Sequence, residues 1–136
     1  MLVARIFVDS NVVVYSLGDD QTKKIIATTL LACSPILSTQ VLIETANVAR
    51  RKLGYSIAEI RSIIGMLRSG SEVRVISESV IDRSFGIAER YGFSTYDSLI
   101  VASALDASCE VLYSEDLQTG QRFDDQLTVV NPFLAA

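Results

Sequence analysis

The residues of this chain best suited to chemistry are carboxylates placed just beyond apolar runs. The run Val3 to Val8 stops at Asp9, followed by Ser10 and Asn11, before a second apolar run, Val12-Val13-Val14-Tyr15. A stretch so rich in Val, Ile and Phe reads as a buried strand. Ser10 or Asn11 suits the N-cap of a helical turn after it. Asp9 then stands at the carboxyl end of a central strand, where open α/β sheets bind ligands. Taken alone, such an acid is more often a helix cap or a turn residue. It gains meaning only if other acids converge on it.

Three others are candidates. Glu44 lies at the edge of the apolar arc (Val41, Leu42, Ala46, Ala49, Leu53) of a helix expected over Gln40 to Leu53, followed by Asn47 and Val48. Its plain reading is a solvated surface acid, but the edge position also lets it line a groove beside the sheet. Asp97 opens the most apolar helix of the chain, carrying Leu99, Ile100, Val101, Ala102, Ala104 and Leu105. Ser94-Thr95-Tyr96-Asp97 matches a capping box, so a cap is the plain alternative. The same geometry, on a buried helix, delivers a first-turn carboxylate to a fixed point at the sheet edge. Asp116 follows Val111-Leu112-Tyr113-Ser114-Glu115, beyond another strand end. Glu115 beside it leaves the identity of the inward-facing acid open. Asp116 is preferred, because Ser114 can hydrogen-bond within the turn and side chains two apart point the same way.

Four carboxylates in one crevice repel unless a cation joins them, and a hard divalent ion with oxygen ligands is the natural partner. The chain has no His, which removes the usual triads, His-based acid–base catalysis and most zinc sites. A metal is then the readiest means of making hydroxide near neutral pH.

The elements that must position these acids follow from the rest of the chain. Its 136 residues, 49% hydrophobic and 21% charged, suit one domain over 1–136 with one core. No charge-free apolar run approaches the ~18 residues that span a bilayer, and the N-terminus lacks the pattern of a secretory signal. Cys33 and Cys109 stand apart in apolar surroundings, so buried free thiols in a reducing cytosol are expected rather than a disulfide. Sixteen acids against twelve bases, a net charge of −4, argue against non-specific duplex binding. They leave room for a nucleic acid held through metal ions and a local arginine cluster.

Apolar runs at Val3–Val8, 36–38, 73–76, 110–113 and 127–130 read as strands. Helices are expected over about 22–32, 40–53, 56–69 (with a Ser56/Glu59 capping box), 79–91 and 96–107. The segment from Ser114 to Asp125 reads as a loop. Strands alternating with helices define an α/β protein with a parallel sheet covered on both faces.

Four motifs carry a family resemblance: Phe-Val-Asp-Ser-Asn-Val at 7–12, Glu44 with Asn47-Val48, Tyr96-Asp97-Ser98-Leu99-Ile100-Val101-Ala102, and Tyr113-Ser114-Glu115-Asp116-Leu117. They resemble the acidic motifs of PIN domains, and the tail ending Val129-Val130-Asn131-Pro132-Phe133 is similar to that of bacterial VapC-type toxins. The resemblance spans Ile6 to Phe133. It departs at Ser10, where Thr is commoner, and at Tyr96, where Trp is frequent. It implies a three-layer fold with a five-stranded parallel sheet flanked by helices, and cleavage of RNA phosphodiester bonds with Mg²⁺ or Mn²⁺. It also implies a co-encoded antitoxin partner and a homodimer. Asp9, Glu44, Asp97 and Asp116 would be the catalytic metal ligands, with Asn11, Ser114 and Asn47 fixing the carboxylates.

Arg50, Arg51 and Lys52 form the densest basic run and are candidates to hold RNA phosphates; a solvated helix end is the plain alternative. The same hairpin of helices carries Ile57, Ile60, Ile63, Ile64 and Leu67, apolar surface suited to a second copy or an antitoxin segment. Two rival readings are a metal-free interaction module that keeps the fold and a receiver-type phospho-switch domain. The second needs a Lys after its last strand, whereas the only lysines are Lys23, Lys24 and Lys52.

Overall fold

A computed structural model describes residues 4–134. The first strand, β1, is Ile6–Val8; Val3, part of the apolar run, lies outside the described residues. There follow α1 (Ser10–Val13), a 3₁₀ turn (Val14–Leu17), α2 (Gln21–Leu31) and β2 (Ile36–Ser38). Next come α3 (Thr39–Arg51), α4 (Ile57–Gly70), β3 (Glu72–Arg74), α5 (Glu78–Tyr91) and α6 (Thr95–Asp106). The chain closes with β4 (Val111–Tyr113), β5 (Arg122–Phe123) and β6 (Leu127–Val130).

The helix starts are set by local chemistry. Ser38, Ser77 and Ser94 each accept a backbone N–H two or three residues into the helix they precede. Such caps stabilise a helix by ~1 kcal/mol each. Ser56 and Glu59 form the complete reciprocal capping box. The Ser56 backbone N–H bonded to Glu59 holds that carboxyl below its ordinary value. Asp9 itself, rather than Ser10 or Asn11, is the N-cap of α1. At the far end of α5, Gly92 takes φ 71°, a left-handed backbone that favours glycine.

The sheet order is β3-β2-β1-β4-β6-β5. All pairs among the five expected strands are parallel. The sheet departs from expectation in a sixth, two-residue strand, β5, antiparallel to β6 within the segment read as a loop. Asp124 and Asp125, at φ 53° and 51°, make the turn between them, a conformation that Asp tolerates better than most side chains. The hairpin buries Phe123, which meets Tyr91 and Phe93 edge-on.

Phe7, Val8, Leu37, Leu112 and Val129 of the sheet are fully buried, as are Val12, Val13, Val41 and Val101 of the helices laid on it. Cys109 is buried, and burial pushes its thiol up to about 11. Cys33 is exposed, contrary to expectation, because α2 ends at Leu31 and leaves it in the following turn. No helix among the described residues is long and apolar enough to cross a membrane.

The site depends on the neighbours β1 and β4. Val8 pairs with Tyr113, and the Asp9 N–H donates to the Tyr113 carbonyl at 2.9 Å. The chain proceeds from β1 to β2 on one side, and the later strands lie on the other. The order therefore reverses between β1 and β4, and a reversal opens a crevice at the carboxyl ends of the strands.

Candidate active site

Asp9 sits at that reversal, only 4% exposed. Its Oδ1 accepts from the Ser10 N–H at 2.7 Å, and its Oδ2 accepts from Ser114 Oγ at 2.9 Å and Asn11 Nδ2 at 3.3 Å. Burial nevertheless raises its carboxyl to about 7 from an ordinary 3.8. The Ser114 and Ser10 hydrogen bonds oppose that shift, while the charges of Glu44 and Asp97 add to it. A buried carboxylate near two other acids favours its neutral form unless a cation arrives.

Glu44, half-buried on α3, is held to the same point. Its Oε1 accepts from Ser10 Oγ at 2.9 Å and its Oε2 from Gln40 Nε2 at 3.2 Å. Asn11 fastens the segment after β4 to the end of β1: its Nδ2 also donates to Ser114 Oγ at 3.3 Å, and its Oδ1 accepts from the Glu115 N–H at 3.1 Å.

Asp97, in the first turn of α6, is half-buried. Its carboxyl is raised by burial first and then by the charge of Asp116, with Ser94 opposing. Asp116 is exposed. Glu115 points elsewhere: its Oε1 accepts from the Tyr15 hydroxyl at 3.1 Å, and its Oε2 lies 3.8 Å from Lys23 Nζ. Of the two adjacent acids, Asp116 is the one whose charge acts on Asp97.

Asn47 is exposed and enters none of the side-chain hydrogen bonds among the described residues. Arg50 and Arg51 are exposed in the last turn of α3, with Lys52 as its C-cap. Lys52 lines a cleft of about 330 Å³ together with Ser10, Asn11, Val48 and Glu115, alongside the acids. Two participants had no separate sequence signal. Gln40 reads as an ordinary polar helix residue. The bond from Ser10 to Glu44 depends on the packing of α1 against α3.

As they stand, no three acids among the described residues are grouped closely enough to hold a metal ion. The donor set still fits a hard divalent ion. It is all oxygen, it includes a buried carboxylate that lies near other acids, and the ion pairs of the described residues engage Glu72, Glu115 and Asp124 instead. Asp9, Glu44 and Asp97, with Asp116 at the rim, are the residues that could hold it.

A buried acid at the carboxyl end of β1, where the strand order reverses, with acids of α3 and α6 acting on it, defines an α/β protein with a carboxylate site. The PIN domain family matches the chain over residues 6–122. The chain belongs to that family. This sets the receiver-type alternative aside. No curated protein matches the sequence. Solved structures do share the fold. A toxin–antitoxin complex from Klebsiella pneumoniae aligns over 96% of this chain and 98% of its own, with a TM-score of 0.70 and 18% identity. Mycobacterium tuberculosis VapC20, a sarcin–ricin loop cleaving toxin, aligns over 82% and 89%, with a TM-score of 0.66 and 21% identity. FitAcB from Neisseria gonorrhoeae aligns over 95% and 99%, with a TM-score of 0.66 and 20% identity.

Proposed function

We propose that the chain is a metal-dependent endoribonuclease acting in the cytosol as the toxin of a toxin–antitoxin pair. The observation that carries this reading is Asp9: a carboxyl buried at the sheet reversal and raised to about 7, with Glu44 and Asp97 acting on it. The toxins among the structural relatives, one of them described as sarcin–ricin loop cleaving, support RNA as the substrate.

In this reading Asp9, Glu44, Asp97 and Asp116 hold one or two Mg²⁺ or Mn²⁺ ions. A divalent ion supplies a Lewis acid that offsets charge on the scissile phosphate and makes water a usable nucleophile near neutral pH. The chain's own residues do the rest. Ser114 and Asn11 fix one oxygen of Asp9, the Ser10 N–H fixes the other, and the Ser10 hydroxyl orients Glu44. Lys52, beside the cleft, and the exposed Arg50 and Arg51 draw in RNA phosphates, which the net charge of −4 otherwise repels. Cleavage of a labelled single-stranded RNA by the purified chain tests this. Activity should vanish with chelator and return with Mg²⁺ or Mn²⁺; cleavage indifferent to metal, or none with any metal, contradicts it.

Apolar surface supports the protein partners. Ile60 is buried within the fold, but Ile57 and Met66 of α4 are 53% and 75% exposed. A groove of about 400 Å³ between α2 and α4, lined by Leu17, Leu31, Ile63, Met66 and Leu67, suits an amphipathic antitoxin helix. The groove on the other side of α4, with the exposed Ile43 and Val75, suits a second copy. Met66→Asp should weaken capture of the co-encoded antitoxin by calorimetry, by roughly tenfold or more. Unchanged affinity contradicts this placement. Light scattering of the chain alone decides the homodimer.

A further inference from the structure

Gln40 joins two elements of the site, α3 and α6, and no motif marks it. It lies in the first turn of α3, and its Nε2 donates twice: to Glu44 Oε2 at 3.2 Å and to the Tyr96 carbonyl at 3.1 Å. Both partners are acceptors only, so the amide orientation is decided: turning it over would set Oε1 against a carboxylate and a carbonyl. Tyr96 immediately precedes Asp97. Hydrogen bonds through Ser10 and Gln40 then link Asp9 and Glu44 to the peptide that precedes Asp97. Asp9 accepts from the Ser10 N–H, the Ser10 hydroxyl donates to Glu44, and Gln40 ties Glu44 to the peptide that carries Asp97.

The other end of the amide is unusual. Gln40 Oε1 is buried and has no hydrogen-bond partner among the described residues. An unpartnered buried acceptor is unfavourable and offsets part of what the two Nε2 hydrogen bonds contribute to stability. What those bonds do besides is hold two acids at a set separation. Each Glu44 oxygen spends one acceptor site on a protein donor and keeps another for the crevice.

We propose that Gln40 is a positioning residue that sets the separation of the Glu44 and Asp97 carboxylates, and thereby the affinity of the site for a divalent cation. The role rests on the nuclease reading above. A donor one step behind a metal ligand typically changes metal affinity by about 10–100-fold when removed. The test is Mn²⁺ binding to the full chain by calorimetry, for wild type, Gln40→Met and Gln40→Asn. Methionine keeps the length and loses the donor; asparagine keeps the amide and cannot span both partners.

Both variants should bind Mn²⁺ roughly tenfold or more weakly. Cleavage lost at low Mn²⁺ should recover at saturating Mn²⁺. A merely structural role predicts a lower melting temperature with an unchanged Mn²⁺ dissociation constant. Affinity within twofold of wild type in whichever variant folds overturns the role alone. A wild type that binds no Mn²⁺ overturns the nuclease reading and this role with it.

Discussion

On the nuclease reading, Asp9→Asn should yield a folded protein whose RNA cleavage falls by far more than the ~100-fold that loss of a residue merely supporting a metal ligand costs. The change removes a charge and almost no volume. The amide oxygen can keep the 2.7 Å bond from the Ser10 N–H, and the amide nitrogen can donate to Ser114 Oγ, 2.9 Å from the atom it replaces; Asn11 Nδ2 loses its bond to that atom and keeps the one to Ser114 Oγ. Asp97→Asn should act likewise, because the Ser94 cap uses the backbone N–H of residue 97 and survives the change. Single-turnover cleavage, with circular dichroism as the check on folding, measures both. Robust activity in either purified variant removes that residue from the site.

The second large effect is on stability without metal. Asp9 titrates near 3.8 when unfolded and at about 7 when folded. Below the lower value both states hold the proton, and the group contributes nothing. Between the two the unfolded chain releases its proton while the folded chain keeps it, so rising pH favours unfolding. Above the upper value the penalty is complete, on the order of 4 kcal/mol. The burial that raises Asp97 adds in the same direction. Metal-free protein should therefore melt at a lower temperature at pH 8 than at pH 5, by roughly 10 °C.

Asp9→Asn should raise the pH 8 value and flatten the slope. Mg²⁺ or Mn²⁺ at 100 times its dissociation constant should restore about 2.7 kcal/mol to wild type and much less to the variant. Melting curves at the two pH values, with chelator and with metal, check this. Identical behaviour of wild type and variant would show that Asp9 lies outside any metal site.

Much of this arrangement was legible in the amino-acid sequence. The apolar run that stops at Asp9 reads as a strand. Its last three residues, Ile6–Val8, form β1, while Ala4 and Arg5 are exposed before it, and the end of the run fixed where Asp9 must lie. The Ser56/Glu59 box and Gly92 marked helix ends because their chemistry is local. The family motifs put four acids in order, and the fold brings their charges to bear on one another. What was not legible depends on partners distant in sequence. Arg122–Phe123 is too short to show a period, and it is a strand only because β6 lies beside it; Asp124-Asp125 was the one available sign of the hairpin. Gln40 has no meaning until α6 brings the Tyr96 carbonyl within reach. Glu115 and Asp116 are adjacent identical charges on paper, and only Tyr15 of the 3₁₀ turn and Lys23 of α2 separate their roles.

On the nuclease reading, acids from the end of β1, from α3 and α6 and from the segment after β4 share one site for divalent cations. Anomalous diffraction from crystals of the full chain grown with Mn²⁺ tests it most directly. One or two peaks are expected within direct coordination distance of Asp9 and Asp97, about 2.0–2.6 Å from their oxygens, with Glu44 or Asp116 completing the shell. Peaks only elsewhere on the surface, or none at saturating Mn²⁺, would contradict it.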